Sequence, residues 1–383
     1  MRKVLRVLAL CLIPMMLTGC WSYRSLNDIS IVMGMSVDKD PITGDFTVVN
    51  EIADLSKSIK DSGLGSKRVE TKGKTIFEAV RNAKRKMNNR LYFGNMHIIA
   101  IGEQTARSDG IAGAVDWIMR DAETRETISL LIAQGSDGKD LLESEGADQP
   151  IISLAIDSIV NDDNQVTSST NQIDLYKAYD ILNGQGMNLT LPAFHITDND
   201  GKKVIELNGI AAFKEDKLVG FLPPDESKYF LIATNQCHGG ILALASQGTG
   251  MPDVSLEIAG SREKTNFTNN GGQISFQIET ETDVYLAENI NSLDPLDEQQ
   301  LKALEKEAEK RLEFEINAMI KQVQTEIKSD IFGFGHIIHQ RDLKLWRQIK
   351  NDWEQRFETL PVSVTCKVNI KNSAYIKSKE EAK

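Results

Sequence analysis

Cysteine is scarce in this sequence. Only Cys11, Cys20, Cys237 and Cys366 occur among 383 residues, too few for a disulfide-built scaffold and without the Cys-x-x-Cys spacing of a zinc or redox site. Bases are also short: 44 Lys and Arg against 55 Asp and Glu give a formal net charge of -11. So acidic a chain is a poor candidate for non-specific nucleic-acid binding, because phosphate contacts need a basic face. An anionic lipid surface would repel its summed charge. Most chemical motifs are missing too. There is no phosphate loop ending in Gly-Lys-Ser/Thr. Gly333-Phe334-Gly335 lacks the third Gly of a dinucleotide loop, and Gly34-Met35-Ser36-Val37-Asp38 lacks the last Gly of a nucleophile elbow. Asp198-Asn199-Asp200-Gly201 reads as a turn, because Lys202 and Lys203 stand where a calcium loop needs a ligand and a Gly. His336 and His339 are three apart but have no carboxylate or Cys at a ligand spacing. His97, beside an apolar strand, reads as a hydrogen-bonded structural histidine. No catalytic residue, cofactor or metal is expected.

The first twenty residues are the most informative. Arg2, Lys3 and Arg6 precede an uncharged run from Val7 to Leu17. Its eleven residues are about half of the roughly 20 that a membrane-spanning helix needs, and match a signal-peptide apolar region. Leu17-Thr18-Gly19-Cys20 follows and resembles the bacterial lipobox. This implies cleavage between Gly19 and Cys20, with acylation of the Cys20 thiol and of the new amine. Two fatty chains, each methylene worth about 0.8 kcal/mol when buried, would hold an acidic body at a membrane. Without the leader, 41 bases face 55 acids, a balance of -14. No later run is long and apolar enough to span. Tyr229 to Ser246 is interrupted by Asn235-Gln236-Cys237-His238-Gly239-Gly240. The Cys237 and Cys366 thiols could pair, though nothing in the sequence requires it. The place of Cys366 on the apolar side of an alternating strand favours a buried thiol.

With 41% hydrophobic and 26% charged residues the chain has enough apolar surface for packed cores, and its length suggests two or three domains. Strands are expected over 30–38, 46–55, 96–102 and 127–134, with helices over 75–89 and 110–120, a mixed α/β layer. Residues 56–73 read as a polar excursion. Helical pattern over 151–184 is interrupted at 161–171, and a strand follows over 189–197. A boundary is placed near 198–207. Beyond it come a hairpin (209–213 and 218–222), a helix over 227–234 and strands over 254–258 and 273–278. The loop between these two strands ends in Asn269-Asn270-Gly271-Gly272. Asp294-Pro295-Leu296-Asp297 signals a helix start. The helix, about 295–328, carries Leu301, Leu304, Ala308, Leu312, Ile316, Met319, Val323 and Ile327 on one stripe, with charge opposite. It reads as packing on a sheet, with a coiled coil as the alternative. A helix over 342–357 and a strictly alternating strand over 362–371 complete the body. Arg120, Asp121, Glu123 and Arg125 form either a salt-bridged solvated corner or a docking edge for a partner.

Taken together, these segments resemble the C subunit of spore germinant receptors, the Ger(x)C lipoproteins. The resemblance rests on Leu17-Thr18-Gly19-Cys20-Trp21, Gly73-Lys74-Thr75-Ile76-Phe77-Glu78-Ala79, His97-Ile98-Ile99-Ala100-Ile101-Gly102-Glu103 and Asp116-Trp117-Ile118-Met119-Arg120-Asp121. In the second half it rests on Gly209-Ile210-Ala211-Ala212-Phe213-Lys214, Lys217-Leu218-Val219-Gly220 and Ser329-Asp330-Ile331-Phe332-Gly333-Phe334-Gly335. The order and spacing of these pieces over about 350 residues carry it, and Ser22 and Asn95 depart from the family pattern. It implies an α+β fold of several domains with mixed sheets: a cleaved leader 1–19, an N-terminal domain 20–200, a C-terminal domain 208–376 and a charged tail 377–383. It implies a non-enzymatic, lipid-anchored subunit on the outer side of the spore inner membrane, acting with integral-membrane A and B subunits. Rival readings are a lipoprotein that itself captures the germinant, in a cleft between the halves, and a cell-wall enzyme.

Overall fold

A computed structural model of the chain describes residues 28–55, 65–145, 149–245, 250–290 and 297–371. The fold is α+β, built on two mixed sheets. The larger has nine strands: β1 (Ile29–Lys39), β2 (Phe46–Asp54), β3 (Gly65–Gly73), β4 (Arg90–Tyr92), β5 (Ile98–Gly102), β6 (Ser129–Ala133), β7 (Thr190–Asn199), β8 (Lys202–Lys214) and β9 (Lys217–Leu222). They run in the order β3-β2-β1-β5-β6-β7-β8-β9, with β4 beside the start of β1. The centre β1-β5-β6-β7 is parallel and both flanks are antiparallel. Parallel strands are covered on both faces, so they read as unbroken apolar runs. Thus Ile99 and Ile101 point into one core and Ile98 and Ala100 into another. The first core is roofed by α1 (Ile76–Asn82), α2 (Glu103–Ser108), α3 (Ala112–Arg120) and α6 (Leu175–Asn183). The second is roofed by α4 (Gly138–Glu143) and α5 (Ile152–Val166).

The smaller sheet orders β10 (Ile241–Leu244), β11 (Val254–Asn270), β12 (Gln273–Asn289) and β13 (Val362–Lys371). Its core joins α7 (Pro224–Ala233), the long α8 (Glu298–Gln322), α9 (Phe334–Arg341), α10 (Leu343–Ile349) and α11 (Trp353–Phe357). Of the α8 stripe, Leu304, Ala308, Leu312, Ile316 and Met319 are buried against it, as are Val323 and Ile327 in a closing π-turn; Leu301 is half-buried. A single helix packed on a sheet, rather than a coiled coil, therefore accounts for the stripe. Its alternating partner β13 follows the expected bounds 362–371.

Several expected elements change. Residues 65–73, expected as part of an excursion, form the edge strand β3. Their polar pattern suits an edge, and pairing with β2 supplies the order that propensity does not; residues 56–64 lie outside the described residues. The helix expected over 75–89 ends at Asn82 and gives way to a 3-10 turn at Ala83–Arg85. There the Asn82 amide donates to the Lys72 carbonyl, a side-chain bond that competes with the helix. Conversely α5 continues through Asn161–Asn164. Asp163 accepts the amides of Ser169 and Thr170, and Asn164 donates to the Gln236 carbonyl, so these polar groups close the helix end. The loop expected before residue 273 is strand as far as Asn270, and only Gly271 and Gly272 turn, both with positive φ as a two-residue hairpin requires. The N-cap of α8 is Asp297, accepting from Gln299 and Gln300, rather than Asp294, which lies outside the described residues. The helix expected over 342–357 is broken at Lys350–Asp352, which lets Trp346 donate to Gln185 and Trp353 to Asp330. The segment 198–207, where a boundary was placed, contains the β7–β8 turn, so the large sheet runs across it.

Candidate functional site

The two sheets meet at Ser329–Gly335, the segment that ends the long helix. Lys328 adopts left-handed φ of 55° and stops the helix. Ser329 donates to the Phe213 carbonyl on β8, and the Asp330 carbonyl accepts from Asn188. The Asp330 carboxylate accepts from Phe334 N at 3.1 Å, Gly335 N at 2.8 Å and Trp353 Nε1 at 2.9 Å. It is fully buried, and loss of water pushes its pKa up to about 7 despite these donors. Phe332 and Phe334 then enter the small-sheet core, with Phe334 stacked 4.4 Å from Phe276. Gly335 has no room for a side chain, because a Cβ there would lie 2.6 Å from the Trp353 indole nitrogen. A second buried carboxylate, Asp38, accepts Gly138 N and Lys139 N at the start of α4, and burial raises it to about 6. Both are structural fasteners: their hydrogen-bond partners are backbone amides and an indole.

The four residues of the expected corner do not converge. Arg120 pairs with Asp116 one helical turn back, at 2.8 Å. Asp121 accepts the Glu123 amide, and Glu123 pairs with Arg90 at 2.6 Å. Arg125 is exposed and makes no ion pair among the described residues. Asp121 and Glu123 line a recess of about 230 Å³ with Phe77, Arg81, Arg90 and Trp117, whereas Arg120 borders a separate one beside Tyr179 and Asp216. A recess of about 340 Å³ lies where the halves meet, bordered by Gln185, Met187, Trp346 and Glu354. Gly19 and Cys20 lie outside the described residues.

His97 and His336 are held by hydrogen bonds. His97 Nδ1 lies 2.9 Å from the Asp157 carboxylate. His336 donates from Nδ1 to the Gln185 carbonyl, and Gln340 donates to its Nε2, leaving no lone pair for a metal. No group of metal-ligating side chains occurs among the described residues. Cys237 and Cys366 are both buried and unpaired; burial raises both thiols, that of Cys366 to about 11. No helix among the described residues is long and apolar enough to cross a membrane.

One arrangement escaped the sequence reading. Glu305, Glu309 and Glu313 of α8 accept the backbone amides of Ile370, Val368 and Cys366, at 2.9, 3.2 and 3.0 Å. The outer edge of β13 is thus capped by a ladder of carboxylates. The i, i+4 spacing was visible, but a solvated helix face has the same spacing.

Comparison with known proteins agrees with this architecture. The "Spore germination protein N-terminal domain" model matches residues 22–196, and the "Spore germination B3/ GerAC like, C-terminal" model matches 208–374. Spore germination protein KC of Bacillus subtilis (strain 168) is 23% identical over 97% of this chain and 96% of its own length. Spore germination protein B3 of the same organism is 25% identical, over 92% and 91%. The crystal structure of the GerBC protein superposes with a TM-score of 0.57 at 21% identity, covering 88% of this chain and 97% of that one, a likeness of fold. With both halves matched in order, the chain belongs to the GerAC-like family of spore germination proteins, the C subunits.

Proposed function

We propose that this chain is the lipid-anchored, non-enzymatic C subunit of a nutrient germinant receptor, working with integral-membrane A and B subunits to trigger exit from spore dormancy. The observation that carries the reading is the order of its parts: the N-terminal family segment follows directly on Leu17-Thr18-Gly19-Cys20, and the C-terminal segment follows that one. In this reading Cys20 takes the fatty chains, and the body stands on the outer side of the spore inner membrane. Confinement there raises its effective concentration for neighbouring subunits without strong contacts. His97, His336 and the buried carboxylates of Asp38 and Asp330 are held in structural hydrogen bonds, which supports a scaffold or relay role.

Replacing Cys20 tests the anchor. Cys20→Ala is expected to leave the body folded, to move it from the membrane to the soluble fraction, and to depress nutrient-triggered germination. Full germination with a released chain would refute the claim that anchoring matters.

A further inference from the structure

The end of α1, the 3-10 turn after it and the start of β4 carry a basic patch at odds with the charge of the whole chain. From Arg81 to Arg90, five of ten residues are basic (Arg81, Lys84, Arg85, Lys86 and Arg90) and none is acidic, in a chain of net charge -11. All five are exposed. Arg90 alone pairs with a carboxylate among the described residues, that of Glu123; Lys84 and Lys86 donate to the Asn88 and Glu70 carbonyls. Beside them Phe77 is 50% exposed, with the Arg81 guanidinium 4.9 Å from its ring centre.

The fold places this patch where the chain enters the body. Arg90–Tyr92 pairs with Ile29–Ile31, and the Asn89 amide reaches the Ile29 carbonyl. Cys20 lies eight residues before Asp28, a reach of at most about 28 Å when extended. Any membrane holding Cys20 is therefore held near these five bases.

We infer that Phe77, Arg81, Lys84, Arg85 and Lys86 form a docking surface for an anionic phospholipid bilayer, which fixes the end of the tethered body that rests on the membrane. The inference rests on the anchor reading above. Bases near an anionic leaflet are attracted over a Debye length, about 8 Å at physiological salt. A tether alone permits any tilt, whereas the patch selects one; Asp121 and Glu123 line the recess beside Phe77 and Arg81, where the five bases outnumber these two acids. Phe77 offers an apolar side chain to the interface, as amphipathic surface helices do.

Lysine acylation, read by mass spectrometry, tests this on the full acylated chain in vesicles of phosphatidylcholine alone or mixed with phosphatidylglycerol. Sedimentation with both vesicle types reports the anchor, and acylation reports the patch. Lys84 and Lys86 are expected to be acylated severalfold more slowly on the mixed vesicles, with Lys306 on α8 unchanged and high salt abolishing the difference. Arg81→Glu with Arg85→Glu should restore labelling while the chain still sediments. Equal labelling of Lys84 and Lys86 on both vesicle types, in a chain that sediments, would overturn the docking surface and leave the anchor standing. A chain that sediments with neither would overturn both. Protection that arises only when other membrane proteins are present would replace the lipid with an acidic protein surface, and so overturn the inference.

Discussion

Asp330 concentrates the energetics of the junction in one side chain. Its carboxylate is out of water and holds two backbone amides and an indole. Its pKa of about 7 exceeds the ordinary value of 3.8, so between these limits the folded chain binds more protons than the unfolded chain. Stability therefore falls as pH rises from about 4 to about 7 and levels off above it. Asp38, raised to about 6, acts in the same direction. Asp330→Asn removes the ionisation and keeps one acceptor, so unfolding midpoints measured across this range should depend less on pH than in the parent. Asp330→Ala strands three buried donors and should cost about 2–4 kcal/mol, read by denaturant titration. A midpoint in the Asn variant that falls with pH as steeply as in the parent would contradict this account. None of this was legible in Asp330 as a letter: its motif was visible, but Asn188 and Trp353, which bond it, come from distant elements of the fold.

The carboxylate ladder works by a match of periods. Four helical residues rise about 6.0 Å and two strand residues about 6.6 Å, so Glu305, Glu309 and Glu313 stay in step with Ile370, Val368 and Cys366. An uncovered strand edge is a template for pairing with another chain, and here it is closed by charge-assisted hydrogen bonds. Replacing all three glutamates by Ala should destabilise the small sheet by about 1–2 kcal/mol per lost bond and favour association, seen as a concentration-dependent shift in size-exclusion chromatography. The Gln variants keep an acceptor and should remain monodisperse. A triple Ala variant as stable and as monodisperse as the parent would show the ladder to be incidental. Elements with a buried face were legible in sequence: the stripe of α8, the alternation of β13 and the apolar run of β5. Elements ordered by a partner strand were less so, as with β3 and the extensions of β11 and β12, where Thr265, Thr280 and Thr282 take buried positions that a purely apolar alternation would not mark.

At the scale of the whole molecule, charge and topology point the same way. The body is acidic overall but gathers five exposed bases between Arg81 and Arg90, one of them paired with a carboxylate, beside the start of β1. The two sheets are locked together through Ser329–Gly335, so a push on one reaches the other through buried bonds rather than a flexible linker. Such a body suits a relay between membrane neighbours. The family was legible from ordered motifs, whereas the arrangement of the 120–125 corner was not: Asp121 and Glu123 line one recess and Arg120 another. The most direct test is chemical crosslinking of the native chain in intact spore membranes, followed by mass spectrometry of the proteins attached to it. Two multi-span membrane proteins linked to the body are the predicted result; links to soluble proteins alone, with no membrane protein among them, would contradict the account.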